Sequence, residues 1–172
     1  GQEEFDPHYW LSAGNGMVMA RNIADALAAA DPARADVYSA NYRKYALELA
    51  GLHRELAREL SGLRIKGMIV FHDAWRYFAA AYGLKIIAVF QSSPGREPSP
   101  RDLRDLYALA GKSGIKAIFC EPQLPAASLE PMLEDLGLEL VVLDPLGGAS
   151  PADSYVDLLR RNARAILRAL GR

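Results

Sequence analysis

The sequence predicts an α/β fold: a four-stranded parallel sheet flanked by helices, preceded by one long backbone helix. Three observations lead there. After residue 66, four apolar runs of strand length appear, at 67–71, 85–90, 115–120 and 138–143. Segments with helical spacing separate and follow them, at 73–82, 99–112, 126–136 and 152–170. Gly83, Gly114 and Gly137 each stand just past a helical segment, where a glycine closes a helix. Strands that alternate with helices call for crossover connections and a parallel sheet. Near-continuous apolar strands fit a sheet covered on both faces.

Ahead of that region the chain reads as loop, helix and long helix. Asp6-Pro7 signals a turn, and His8, Tyr9, Trp10 and Leu11 crowd bulky side chains behind it. Ser12 is a candidate helix cap. Residues 17–30 have helical spacing, and Asp31-Pro32 ends them; Pro32 suits the first turn of the next helix. In that helix, predicted over 32–63, Tyr38, Tyr42, Tyr45, Leu49, Leu52, Leu56 and Leu60 recur every three or four residues as one apolar stripe. Some thirty residues make a rod of about 45 Å. Such a rod reads either as a spine joining two lobes or as half of a hairpin with the helix before it. The expected organisation is 1–31 as the end of an N-terminal lobe, 32–64 as the linking helix, and 65–172 as a C-terminal α/β lobe.

Bulk composition narrows the function. Hydrophobic residues are 51% and charged residues 24%, enough for a core and unlike a disordered chain. A formal net charge of -1 gives no support to nucleic-acid or anionic-membrane binding. One cysteine, Cys120, excludes an internal disulfide. No apolar run has membrane-spanning length, and no signal-peptide pattern appears, as expected of a truncated start from which a signal has been removed. The start, Gly1-Gln2-Glu3-Glu4, lacks an initiator Met, and we expect a piece of a longer protein. Residues 92–100 hold three prolines and a glycine and read as a rigid, shaped loop.

Parallel strands all end at one edge, and ligands bind there in open sheets. The first run delivers His72 and Asp73, the second Gln91, Ser92 and Ser93, the third Glu121, Pro122 and Gln123, and the fourth Asp144 and Pro145 before Gly147-Gly148. Imidazole, carboxylate and amide groups on one edge suit a metal or a polar ligand. Each also has a structural reading. Asp73 reads as a helix N-cap, Asp144-Pro145 as a turn, and Glu121-Pro122 as a cap. His53 reads as a solvated residue of the long helix, and Cys120 as a small buried hydrophobe. No G-x-S-x-G, Walker A, G-x-G-x-x-G, H-E-x-x-H or CxxC motif occurs where its chemistry would need it. A binding module fits better than an enzyme.

Six segments in order carry a family resemblance: DPHYWLS, the long helix, VFHDAWRYFAAAYGL, SPGREPSP, IFCEPQ and LDPLGG. Together they resemble the C-terminal half of the zinc/manganese-type solute receptors of ABC transporters (cluster A-I), with Trp75 where that pattern usually has Phe. The resemblance covers nearly the whole chain. It implies two lobes joined by a rigid helix, with a metal ion between them. It implies His8 and His72 as metal ligands and Asp144 as a carboxylate near or on the metal. Glu121 has no ligand role in that pattern and is expected to support the site from outside or to be structural. A further family histidine lies in the N-terminal lobe, upstream of Gly1.

The function implied is a periplasmic or lipid-anchored receptor outside the cytoplasmic membrane. It would capture Zn(II) for an ABC transporter permease and would not be an enzyme. Manganese-selective relatives carry Glu at the position of His72, and imidazole suits zinc, so Mn(II) is the lesser choice. The piece is expected to bind zinc weakly or not at all without the missing lobe, and to dimerise through the surface that lobe would cover. The alternative kept beside this is a flavodoxin-like α/β enzyme or regulatory domain binding a small polar ligand through His72 and Asp144. An adhesion module is a third reading, for which no residue argues.

Overall fold

The structure, a computed structural model, describes residues 6–90, 100–122, 130–135, 137–147 and 154–171. A 3-10 turn at Tyr9–Leu11 leads into helix α1, Ala13–Ala30. A second 3-10 turn, Pro32–Arg34, opens the long helix α2, Ala35–Ser61. Then come β1 (Gly67–Val70), α3 (Arg76–Ala81), β2 (Lys85–Val89), α4 (Pro100–Ser113), β3 (Ala117–Cys120), α5 (Glu130–Asp135), β4 (Glu139–Val142) and α6 (Tyr155–Leu170). The four strands form one sheet in the order β2-β1-β3-β4, and every pair is parallel. All four predicted strands form, each shorter by one or two residues.

Helix α1 begins four residues earlier than its sequence suggests. Gly14, Asn15 and Gly16 are weak helix formers, which hides the first turn. Tertiary contacts override them. The Ser12 hydroxyl accepts from Asn15 N–H at 3.4 Å as the cap, and Ala13 N–H donates to the Tyr82 hydroxyl at 3.4 Å. Gly16 lies against Tyr155 of α6, so closely that a Cβ there would stand 2.7 Å from the hydroxyl oxygen. Helix α2 is a rod of about 40 Å at 1.5 Å per residue, packed on α1 and on α6. The Arg160 guanidinium of α6 grips the Glu55 carboxylate of α2 with Nε–Oε1 at 2.9 Å and Nη2–Oε2 at 2.8 Å.

Strand pleating divides the core. Met68 and Val70 of β1 with Phe119 of β3 face a large cluster that includes Leu49, Leu52, Leu56 and Leu60 of α2, Trp75, Phe78, and Leu159 and Ile166 of α6. Ile69 and Ile118 face the other way, onto Leu106 and Ala110 of α4, Leu133 of α5, and Leu138. The sheet is therefore covered on both faces, and the two central strands are the most buried. The three glycines predicted to end helices all have positive φ, from 66° to 70°. At Gly83 this lets Leu84 N–H reach back to the Ala79 carbonyl at 2.9 Å.

His53 is not the solvated residue expected. It is half buried, its ring lies 5.4 Å from that of Tyr82, and its Nδ1 is enclosed. The helical stripe continues one position further round than the leucines show. Cys120 is buried, in contact range of Phe71, as expected. No helix among the described residues is long and apolar enough to cross a membrane.

Candidate metal centre

The order in which the chain lays down its parallel strands reverses between β1 and β3: β2 lies on one side of β1, and β3 and β4 on the other. Such a switch point opens a crevice at the carboxyl ends of the strands. Backbone pairing runs to the lip of it, where Phe71 N–H donates to the Phe119 carbonyl at 2.6 Å and Leu143 N–H to the Cys120 carbonyl at 2.8 Å. His72 leaves β1 here and Glu121 leaves β3.

His72 sits in a tight turn, where its carbonyl accepts from Ala74 N–H at 2.9 Å. The turn delays helix α3 to Arg76, and its cap position is Trp75. Asp73 is therefore not the N-cap predicted. Its carboxylate is drawn to the Arg76 side chain instead, at 2.5–2.8 Å. An arginine three residues on outcompetes the backbone N–H groups for that carboxylate.

His8 arrives from the other direction, ahead of the first 3-10 turn. Asp6 Oδ1 accepts both the His8 backbone N–H, at 2.9 Å, and Nδ1, at 2.7 Å. With Nδ1 committed to a carboxylate, Nε2 carries the free lone pair. Sequence reasoning took Asp6-Pro7 only as a turn and missed Asp6. The signal was an Asp two residues before a candidate ligand.

The His8 and His72 rings lie with centroids 5.0 Å apart and planes at 82°. Two imidazoles on one tetrahedral zinc, with Zn–N near 2.0–2.1 Å, would have centroids about 5 Å apart. The pair thus has the spacing of two ligands of one ion. Burial holds the His72 pKa below its ordinary value, the neighbouring His8 adds to this, and Asp73 and Asp6 oppose it. The neutral imidazole so favoured is the metal-binding form.

Glu121 is buried behind His72. Its Oε1 accepts from Trp75 Nε1 at 3.0 Å. Its Oε2 has no hydrogen-bond partner and lies 3.7 Å from His72 Nδ1. Burial pushes this carboxyl up to about 7, against the lowering effect of the Trp75 bond.

Asp144 leaves β4 on the same edge and is also buried. Its Oδ1 accepts from Leu146 N–H at 3.0 Å and Gly147 N–H at 2.7 Å, the turn its Asp-Pro context suggested. Its backbone is held by Asn162 of α6, through bonds of 2.9 and 2.7 Å. Its Oδ2 is buried without a partner. The Trp10 indole N–H donates to the Pro145 carbonyl at 2.9 Å, tying this loop to the segment that carries His8. The structure brings His8 and His72 together, and among the described residues no three His, Cys, Asp or Glu side chains form one group able to hold an ion. Gln91, Ser92, Ser93, Gln123 and Gly148, also placed on this edge by the sequence, lie outside the described residues.

Known proteins share this fold. Residues 1–169 match the family model described as "ZnuA: Zinc-uptake complex component A periplasmic". The high-affinity zinc uptake system protein ZnuA of Brucella abortus is 33% identical over 165 residues, covering 95% of this chain and 49% of the relative. That of Paracoccus denitrificans is 37% identical over 175 residues, covering 96% and 52%. A crystal structure of ZnuA superposes with a TM-score of 0.84 at 34% identity, over 96% of this chain and 60% of that one. The chain spans about half the length of the curated relatives it matches.

Proposed function

The chain belongs to the family of the periplasmic zinc-uptake component A, and from that premise we propose that it captures Zn(II) outside the cytoplasmic membrane for an ABC uptake transporter. The cargo would be passed to a permease, from a protein either free in the periplasm or held by a lipid anchor. The observation that carries this is the pair of imidazoles at the switch point, 5.0 Å apart. His8 and His72 are the nitrogen ligands. Asp144, with its unpartnered buried Oδ2, is the carboxylate of the site. Zinc prefers four ligands. Two imidazoles and one carboxylate leave a position to water or to a residue outside this chain. Imidazole at residue 72 selects zinc over the more oxygen-seeking manganese.

The strand order is shared with flavodoxin-like folds, so topology alone left the enzyme reading standing. The family and its relatives decide against it, since they are named as uptake components rather than enzymes. The organisation we infer has residues 1–31 ending one lobe, 32–64 linking, and 65–172 forming the other. On α1, Ile23 and Leu27, four residues and about one turn apart, share an exposed face. Supported by these side chains, we read that face as the surface through which this chain dimerises when it stands alone; light scattering showing only monomer would refute it.

Calorimetry tests the zinc reading directly. Zinc should bind the 172-residue chain weakly, and His8→Ala and His72→Ala should each abolish the binding. Nanomolar affinity that His72→Ala abolishes would refute the need for outside ligands. Affinity unchanged in both variants would refute the site, and tighter binding of manganese would refute the choice of metal.

A further inference from the structure

We propose that Glu121 is the positioning residue of the histidine pair: its unpartnered Oε2 accepts Nδ1–H of His72 and so directs Nε2 at the ion. The inference rests on His72 being a zinc ligand. A neutral imidazole has one donor and one acceptor nitrogen, and an ionised carboxylate only accepts. Whatever faces Nδ1 therefore decides which nitrogen keeps a lone pair for a metal. Glu121 Oε2 faces it at 3.7 Å. Closing that gap to a hydrogen bond takes a shift of under about 1 Å.

Three further observations point the same way. The Glu121 side chain is 4% exposed and its Oε2 has no other partner, so this oxygen is a buried acceptor still in need of a donor. The carboxylate is braced from behind, because Trp75, fully buried and edge-on to Phe78, holds the other oxygen at 3.0 Å. The companion ligand already shows the completed pattern, with Asp6 Oδ1 on His8 Nδ1 at 2.7 Å. Each imidazole thus has a carboxylate behind Nδ1, and both Nε2 atoms are left for one ion. The carboxylates come from a turn before α1 and from the end of β3, so neither ring depends on the other for its orientation.

Glu121→Gln separates this role from a purely structural one. The amide oxygen can still accept from Trp75, so the fold is retained. The NH₂ group then faces His72 and donates to Nδ1, which forces the proton onto Nε2. At pH 8.5, ring ¹⁵N shifts of His72 in the metal-free protein should show the proton on Nδ1 in the parent chain and on Nε2 in the variant. Zinc affinity, measured by competition with a chromophoric chelator, should fall about 10- to 100-fold. Glu121→Asp, which restores a carboxylate on a shorter arm, should recover the parent tautomer in part. An Nε2 proton in the parent chain, or a variant with unchanged tautomer and zinc affinity within twofold, overturns the proposal. If the parent chain binds no zinc, the zinc reading falls, while the tautomer measurement still judges Glu121.

Discussion

Gly16→Ala and Gly51→Ala are the same substitution inside two helices, and they should move stability in opposite directions. In a helix interior alanine is favoured over glycine by about 0.8–1.0 kcal/mol. At Gly51 of α2 a Cβ meets nothing within 4 Å, so the whole gain should appear. At Gly16 a Cβ would stand 2.7 Å from Tyr155 Oη, 2.9 Å from Cε1 and 3.1 Å from Cζ, where 3.4–4 Å is ordinary contact. The tyrosine must retreat, yet its hydroxyl donates to the Trp10 carbonyl at 2.5 Å, with the Ser12 carbonyl 3.1 Å away. Ser12 keeps a donor in Gly16 N–H, but Trp10 would lose its bond. An orphaned carbonyl costs about 1–3 kcal/mol, and overpacking another 1–3 kcal/mol or so. Set against the helical gain, Gly16→Ala should destabilise by about 1–5 kcal/mol, and urea unfolding of the two variants beside the parent measures it. Because Trp10 adjoins His8, zinc affinity should fall as well. Equal stabilisation by both variants would refute the claim that Tyr155 fixes the entry of α1.

Two other outcomes can be checked with the same assay. Glu121 holds a proton in the folded protein up to about pH 7, whereas an unfolded glutamate releases it near 4.3. The folded state then binds more protons across that window, so metal-free stability should fall as pH rises from about 4 to 7, by at most about 3 kcal/mol. Glu121→Gln should flatten that slope; a slope unchanged in the variant would rule Glu121 out as its source. The Arg160 hydrogen bond holds the Glu55 carboxyl below its ordinary range, so this pair stabilises above the unfolded pKa and is lost in acid. Both side chains are about one-third exposed. Glu55→Gln should therefore cost about 0.5–1 kcal/mol at low ionic strength and less in about 0.5 M NaCl. A cost that does not change with salt would show that packing, not charge, carries it.

The strands were legible because β1 and β3 are buried on both faces, which leaves an unbroken apolar signature at Met68–Val70 and Ala117–Cys120. The edge itself was legible for the same reason, since a polar residue after such a run marks its end. Three things could not be read. Helix α1 starts at Ala13 through contacts from Tyr82 and Tyr155, which lie some 70 and 140 residues away and leave no local trace. Asp73 looked like a cap because cap statistics ignore competition from a neighbouring arginine. His53 looked solvated because it sits in a charged run, though its ring packs on Tyr82. For the site, motif order singled out His8, His72 and Asp144, and the strand edge placed Glu121 beside His72, but the Asp6 carboxylate on His8 and the direction of Glu121 Oε2 toward His72 Nδ1 appear only when the backbone is folded.

The two bonds that hold Trp10 have a consequence in time. Its indole N–H reaches Pro145 and its carbonyl takes the hydroxyl of Tyr155, across 135 and 145 residues of chain. During synthesis the segment bearing His8 leaves the ribosome some 135 to 145 residues ahead of its partners and has no seat until the turn after β4 and the start of α6 have followed. Contacts this distant in sequence form late, after the entropy of closing so long a loop has been met. A nascent chain would therefore leave His8 unseated until those later segments have emerged. Loss of α6 alone would unseat His8, a residue nearly 150 positions away, and leave the strands that carry His72 with one imidazole instead of two.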